Sequence, residues 1–152
     1  MKESEKRELR WQVKNIRGKK RNIDVSKLPI RTEYQEQFAI FAFAQIMIAT
    51  NQYPELVLLN GSLNGVRINA GQAKKATNTG MKRGYPDIFL PVARGGYHGL
   101  FIELKRVRGG VVSPYQKQWL NDLTDQGYFA CVCRGADAAK RLLVKYLNDE
   151  VE

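Results

Sequence analysis

Two carboxylates and an amine stand close together in one short stretch of this chain. The acids are Asp87 and Glu103, and Lys105 follows Glu103 by two residues. Two apolar runs, residues 88–90 and 100–102, flank a connection with three glycines, which predicts a β-hairpin. Because side chains alternate between the faces of a strand, Glu103 and Lys105 should project from the same face. We therefore expect the three groups to converge.

Carboxylates in a sheet need a cation nearby, since an uncompensated buried ion costs on the order of several kcal/mol. Two carboxylates and a backbone carbonyl, that of Leu104, suit a hard divalent ion such as Mg²⁺. Such an ion can supply water for attack on a phosphate, and Lys105 would position that water or stabilise charge on the phosphate. A surface hairpin with a simple Glu–Lys contact is the alternative. The Gly-x-Pro-Asp sequence before the first strand favours the metal site.

A helix is predicted ahead of the hairpin. Thr32 and Gln35 have the spacing of a capping box, and apolar residues follow for four turns without Pro or Gly. We expect this helix to be largely buried, with a carboxylate at the end of a core-facing stripe. The stripe comprises Glu33, Gln37, Ile40, Ala44 and Met47.

The remaining segments complete an α/β pattern. Residues 56–59 predict the first strand, residues 70–79 a helical insert, residues 128–133 a further strand and residues 136–147 a last helix. Another helix begins at Ser113, with Pro at its first position, and its buried stripe would be Trp119, Leu120 and Leu123. This order predicts a mixed central β-sheet flanked by helices.

The spacing of Pro86-Asp87 and Glu103-Leu104-Lys105, with Ser113, Pro114 and Gln116 behind, resembles the signature of PD-(D/E)XK nucleases. The surroundings, residues 32–147, are similar to the VRR-NUC branch, known from stand-alone phage and bacterial nucleases and from a eukaryotic DNA-repair enzyme. The resemblance implies a restriction-endonuclease-like core (αβββαβ) over residues 32–152. It also implies a DNA endonuclease that depends on Mg²⁺ or Mn²⁺ and hydrolyses phosphodiester bonds.

The resemblance further implies a glutamate on the first helix as a metal ligand. Glu33 with Gln37 matches the family's E-x-x-x-Q pattern, and Glu36 is the nearby competitor. An acid in the first turn is also favoured by the helix dipole alone. The implied metal ligands are Glu33, Asp87, Glu103 and the carbonyl of Leu104.

Gln116 has two possible roles. The family uses a glutamine at this position to hold the active-site lysine or a scissile phosphate. As the third residue after Ser113, it could instead close a capping box, and we expect one glutamine not to serve both partners. The implied catalytic set is Glu33, Asp87, Glu103, Lys105 and Gln116.

The charge of the chain favours a polyanionic partner. Lys and Arg number 25 against 15 acids, for a net charge of +10 and a pI near 9.8. Basic residues concentrate in an N-terminal arm, residues 1–31, in residues 60–84, which contain no acid, and directly after Lys105. Those predicted to contact DNA are Lys19, Lys20, Arg21, Lys74, Lys75, Lys82, Arg83, Arg106 and Arg108.

The remaining expectations concern setting and partners. No stretch approaches the roughly 20 apolar residues of a membrane span, so we expect a cytoplasmic protein, in the host cell if phage-encoded. The resemblance implies a homodimer acting on branched DNA such as Holliday junctions. The alternative is a non-catalytic, basic nucleic-acid-binding accessory protein, in which an acid or the lysine of the signature should be missing. None is missing here.

Overall fold

A computed structural model describes residues 29–62 and 69–151 of the protein. The elements along these ranges, in chain order, are α1 (Glu33–Ala49), a 3-10 helix (Pro54–Leu58), β1 (Asn60–Gly61), α2 (Ala70–Asn78), β2 (Ile88–Leu90), β3 (Leu100–Lys105), α3 (Pro114–Asp125), β4 (Phe129–Arg134) and α4 (Ala136–Leu147). Of the predicted basic arm, only residues 29–31 lie within the described ranges. None of the helices described has the length and apolar character needed to span a bilayer.

The four strands form one mixed sheet in the order β1-β2-β3-β4. β1 pairs with β2, and β2 with β3, in antiparallel fashion, whereas β3 and β4 are parallel. The predicted hairpin is confirmed, with Ile88 opposite Ile102 and Leu90 opposite Leu100. All six residues of β3 are buried. The predicted fold class, a mixed sheet flanked by helices, is therefore confirmed, and β3 lies at its centre.

The two faces of the sheet carry different layers. Apolar side chains of one face, including Ile102 and Leu104, pack with α1 and α4 in a single core that contains the fully buried Tyr146. Phe101 projects from the opposite face, where it stacks on Phe89 with ring centroids 4.2 Å apart. Helix α3 covers that face next to β4. Glu103 and Lys105 share the face of Phe101, because side chains two residues apart in a strand point the same way.

Two predictions about the first half of the fold are wrong. Residues 56–59 do not form a strand, because Pro54 starts a 3-10 helix and the first strand is the two-residue β1. Nor is α1 largely buried. Its buried stripe is Glu36, Ile40 and Ala44, while Phe38 is 66% exposed.

Three helix starts are fixed by reciprocal capping boxes, in which a side chain at each position bonds the backbone of the other. The pairs are Thr32 with Gln35, Asn69 with Gln72, and Ser113 with Gln116. The first confirms the predicted start of α1, and the last confirms the predicted start of α3. The predicted buried stripe of α3 is only half-buried, since no residue of this helix is fully enclosed.

Helix α4 receives its cap from a different helix. Its own N-cap is Gly135, which has no side chain to offer. The buried carboxylate of Glu36 on α1 takes that role, and its Oε2 accepts a hydrogen bond of 2.8 Å from the Ala136 N–H. Arg31 lies 4.0 Å from the same carboxylate. Glu36 therefore joins α1 to α4.

Replacing Glu36 with alanine should lower the free energy of unfolding by about 2 kcal/mol, because a charge-assisted bond to a helix N-terminus is lost. Glu36→Gln keeps an acceptor oxygen and should lose less. Urea unfolding followed by circular dichroism measures both changes. Glu33→Ala is the control, since that exposed side chain contributes less than about 1 kcal/mol through the helix dipole. Equal losses at the two positions would contradict this role for Glu36.

Candidate active site

The hairpin brings the two acids of the sequence motif together. Asp87 directly precedes β2, and extending the β2–β3 register by one residue places it opposite Glu103. Oδ2 of Asp87 accepts a hydrogen bond of 2.8 Å from the Leu104 N–H. The two carboxyl groups lie close enough to interact directly. Asp87 and Glu103 are therefore neighbours in the structure, as predicted.

Glu103 is a fully buried carboxylate whose two oxygens differ in the number of hydrogen bonds they accept. Its Oε1 accepts a hydrogen bond of 2.5 Å from Lys105 Nζ and a second bond from the Nε2 amide of Gln116. Its Oε2 is buried and has no hydrogen-bond partner. Lys105 is itself 6% exposed. One oxygen of this carboxylate is therefore satisfied twice, and the other is left without a partner.

Gln116 closes the capping box of α3 and also bonds to an acid of the motif. Its Oε1 accepts a hydrogen bond of 2.8 Å from the Ser113 N–H and closes the capping box. Its Nε2 donates to Glu103. The bond to the Ser113 amide confirms the capping role, but the site partner is Glu103 and not Lys105, and contact with a phosphate stays a prediction. One glutamine can bond in both directions because a primary amide carries an acceptor and two donors at separate atoms. The start of α3 is thereby attached to the acid on β3.

The Leu104 carbonyl points to the side of β3 on which Asp87 lies. The carbonyl of Lys105 accepts a bond from the Gly135 N–H on the β4 side. Because successive carbonyls of a strand alternate in direction, the Leu104 carbonyl is directed to the β2 side, as is its N–H. That side is where Asp87 lies. The geometry thus brings the Leu104 carbonyl toward the acid pair.

The two glutamates on α1 are separated by the structure. Glu36 is buried and bonds to the start of α4. Glu33 is exposed, lines the cleft that contains Asp87 and Lys105, and is near enough to Asp87 to influence its titration. No group of three or more His, Cys, Asp and Glu side chains within residues 29–62 and 69–151 is arranged to hold a metal ion. Glu33 therefore lines the same cleft as Asp87, and its role as a ligand stays a prediction.

Burial sets the electrostatics of the pair. Loss of solvent raises the pKa of Glu103 to about 7, and the neighbouring Asp87 carboxylate adds to the rise, against the opposing effect of Lys105. Loss of solvent also raises the pKa of Asp87, although the Leu104 N–H and Lys105 counteract it. Both carboxylates therefore hold their protons more tightly than usual, even with the Lys105 ammonium beside them.

The donor set fits a divalent cation. An unpartnered buried carboxylate oxygen, a second carboxylate and a backbone carbonyl are the oxygen ligands that Mg²⁺ and Mn²⁺ accept. A cation bound there would satisfy the Oε2 atom of Glu103. It would also remove the repulsion between Glu103 and Asp87, which Lys105 offsets only on the Oε1 side.

Asp87 and Lys105 line a cleft of about 1150 Å³, and Glu103 is buried next to them. One wall is formed by α1, whose side chains toward the cleft include an acid, an amide and three aromatic rings. These are Glu33, Tyr34, Gln37, Phe38 and Phe41. The aromatic members were not among the predicted site residues, although Tyr34, Phe38 and Phe41 have the spacing of one helix face. Met81 and Val111 add further apolar surface to the cleft.

The predicted DNA-binding residues fall into three groups. Arg83 lines the cleft, where its guanidinium lies 4.4 Å from the centre of the Tyr115 ring. Lys74, Lys75, Lys82, Arg106 and Arg108 are exposed. Lys19, Lys20 and Arg21 lie outside the described residues. Contact of any of them with DNA stays a prediction.

Gly84 connects the motif to α3 by close packing. Its φ of +83° lies in the left-handed region, and a Cβ added there would come within 2.7 Å of the Tyr115 Cβ and 3.0 Å of the Gln116 nitrogen. Any larger residue would therefore be strained and would also collide with the helix. Glycine at this position lets the segment before Asp87 lie directly on the first turn of α3.

The raised pKa of Glu103 predicts a pH-dependent stability. The pKa of Glu103 is about 7 in the folded protein and 4.5 for an ordinary glutamate. The contribution of Glu103 to stability is therefore fully present below pH 4.5 and is lost as the pH rises through 7. Glu103→Gln removes this loss. We compare the free energies of unfolding of the variant and the wild type in EDTA. The difference in favour of the variant should grow by about 2–3 kcal/mol as the pH rises from roughly 5 to 8. Urea titrations measure the difference, and a value independent of pH would contradict the assignment.

The comparisons with known proteins agree with this architecture. The VRR-NUC domain matches residues 30–137, which is most of the chain. A solved structure described as a VRR_NUC domain protein is similar at 27% identity and a TM-score of 0.64, over 80% of this chain and 92% of that one. No curated protein matches the sequence. With its family shown by the matched domain, the chain belongs to the VRR-NUC family of nuclease domains, for which DNA is the substrate.

Proposed function

We propose that this protein is a DNA endonuclease that hydrolyses phosphodiester bonds with the aid of Mg²⁺ or Mn²⁺. The observation that carries the proposal is the buried, unpartnered Oε2 of Glu103 beside Asp87 and Lys105. A carboxylate pair of this kind, of which Asp87 lines a large cleft and Glu103 is buried, is costly for stability and is explained by binding of a cation. The resemblance to PD-(D/E)XK nucleases supports the same chemistry.

The proposed metal ligands are Asp87, Glu103 and the carbonyl of Leu104, with Glu33 reaching the site from α1. A bound divalent ion would supply a water of lowered pKa and would offset charge on the scissile phosphate. The pair Mg²⁺ and Mn²⁺ is proposed because both accept an all-oxygen ligand set.

Lys105 is proposed to act on the reacting groups. Its ammonium lies beside the acid pair, nearly enclosed, with Glu103 Oε1 as its hydrogen-bond partner. From there it can orient an attacking water or stabilise the phosphate oxygens that gain charge. Gln116 is a positioning residue, because it holds Glu103 through Nε2 while the capping box holds its own Oε1.

The surrounding charge supports a polymeric anion as the substrate. Carboxylates at the cleft repel phosphate, so the strand must be held elsewhere along its length. Arg83 at the cleft and the exposed lysines of α2, Lys74 and Lys75, can provide this attraction. Lys82, Arg106 and Arg108 extend the same positive surroundings.

Cleavage assays test the chemistry. A supercoiled plasmid and a synthetic four-way junction, each with Mg²⁺, Mn²⁺ or EDTA, should be cut only with metal. Lys105→Ala and Glu103→Gln should lower the cleavage rate at least roughly a hundredfold, because both remove groups at the reacting centre. Binding to DNA, measured by gel shift, should change little. Lys145→Ala, an exposed lysine on α4, is the matched control.

The same assays test the alternative that the protein binds nucleic acid without cleaving it. Binding without metal-dependent cleavage would favour a basic accessory protein. A second readout does not depend on activity: Mg²⁺ or Mn²⁺ should raise the thermal midpoint of the wild type, since a ligand that binds only the folded state stabilises it. Glu103→Gln should lose most of that increase. A wild-type rate in the Lys105→Ala variant would remove this residue from the mechanism.

A homodimer acting on branched DNA such as Holliday junctions is the finer proposal. Two sites cutting opposed strands require two subunits. Exposed apolar side chains on α1 and the adjoining 3-10 helix support such an interface. Ile46, Val57 and Leu58 are each more than half exposed.

Val57→Asp should weaken the dimer at least roughly tenfold, because a charge would have to be buried in an apolar interface. Val57 is 70% exposed, so the folded subunit should tolerate the change. Sedimentation velocity across a range of concentrations measures the effect. Asn121→Asp on α3 adds the same charge at a distant exposed position and is the control. A monomeric wild type at all concentrations would contradict the dimer without affecting the nuclease proposal.

A further inference from the structure

A second cavity of about 520 Å³ adjoins the cleft. Three residues, Ser62, Met81 and Tyr85, line both spaces, so the two adjoin. The other walls come from the end of α2, the segment after it and α3. We call this space the side cavity, and its lining is Ser62, Ala76, Thr79, Gly80, Met81, Lys82, Tyr85 and Trp119.

The aromatic walls of the side cavity are held in place. The Trp119 indole N–H donates a hydrogen bond of 3.1 Å to the Arg83 carbonyl. The rings of Tyr85 and Trp119 meet edge to face, with centroids 5.1 Å apart and planes at 81°. Phe101 supports Tyr85 from the sheet in the same edge-to-face manner. The cavity is therefore bounded by oriented rings that are only half-buried.

The lining has a definite chemical character. It contains two aromatic rings, the Met81 side chain and the hydroxyls of Ser62 and Thr79, with Lys82 as its charged member. No acid occurs among the described residues that line it. The volume lies within the roughly 300–1,000 Å³ of cavities that enclose small ligands. A flat, partly apolar group that carries an anion fits this combination.

We propose that the side cavity receives one unstacked nucleotide of the strand being cut. Its base lies against Trp119 and Tyr85, and Lys82 attracts a neighbouring phosphate. The inference rests on the proposed nuclease function and adds a structural requirement for its substrate. Tyr85 stands two residues before Asp87 and borders both spaces, so the nucleotide is close to the scissile phosphate.

This inference gives a physical reason for a preference among DNA structures. A base inside a duplex must be unpaired and unstacked before it can enter such a cavity, which costs a few kcal/mol. The cost is lowest where pairing is already lost, at a branch point, a gap or a free end. Base–aromatic stacking tolerates any base, because every base has a π-face. The cavity therefore selects DNA by structure and not by sequence.

Filling the cavity tests the proposal with little effect on the fold. Ala76 is half-buried on α2 and lines the cavity, and leucine is a good helix former. Ala76→Leu should lower the rate of junction cleavage about tenfold, the loss expected for one base–aromatic stack. Ala73→Leu, half-buried on the same helix but not among the described lining residues, should cut like the wild type. Thermal melting checks that both variants fold.

Substrate changes supply the matching measurement. Junctions that carry a single abasic site at successive positions around the mapped cut should show one position at which the wild-type rate falls about tenfold. The same abasic site should cause no further loss in Ala76→Leu, because the variant has already lost that contact. Unchanged rates at every position, or a wild-type rate in Ala76→Leu, would overturn the proposal.

A binding assay separates this inference from the nuclease proposal. In EDTA, 2-aminopurine at an unpaired position of a junction should change its fluorescence on binding the wild type and Ala73→Leu, but not Ala76→Leu. If the wild type cuts nothing with Mg²⁺ or Mn²⁺, the nuclease proposal fails and the fluorescence result alone decides the cavity. If the wild type cuts but no unpaired position responds to the protein, only the cavity proposal fails.

Discussion

The burial of Glu103 in the central strand is the constraint on which the surrounding structure depends. A carboxylate with no solvent contact costs on the order of several kcal/mol unless charges and hydrogen bonds compensate for it. Lys105 and Gln116 provide compensation at one oxygen only. The strand, the start of α3 and the lysine must therefore keep their relative positions. The remaining oxygen leaves the protein less stable than an apolar strand would, which is typical of a site built for a ligand.

Local sequence signals predicted the parts of the fold that depend on local physics. The capping boxes at Thr32 and Ser113 start their helices where the sequence indicates, because each uses side chains three residues apart. The hairpin follows from two short apolar runs around a glycine-rich connection. Its register then brings Asp87 and Glu103 together without any further assumption. This is why the centre of the candidate site could be predicted from the sequence.

The failures concern properties that depend on distant parts of the chain. Residues 56–59 are apolar enough for a strand, but Pro54 begins a 3-10 helix that packs on α1. The expectation that α1 is largely buried failed because apolar periodicity does not distinguish a core from a cleft wall. The double role of Gln116 was missed for a different reason. It requires the distance between α3 and β3, which no local pattern contains.

Separating Glu33 from Glu36 needed the same kind of information. Both acids occupy the first turn of α1, and either is compatible with the helix dipole. Only the packing of α4 shows that Glu36 is occupied with the Ala136 N–H, which leaves Glu33 toward the cleft. The bond between Glu36 and α4 thus fixes the orientation of α1 about its own axis. That orientation directs Glu33, one turn away, toward the cleft.

Gly84 limits how this nuclease domain can diversify. Because the backbone there touches the first turn of α3, no larger side chain fits between the segment that ends in Asp87 and the helix that carries Gln116. A substitution that moved the Asp87 segment without α3, or α3 without that segment, would break the contact between them.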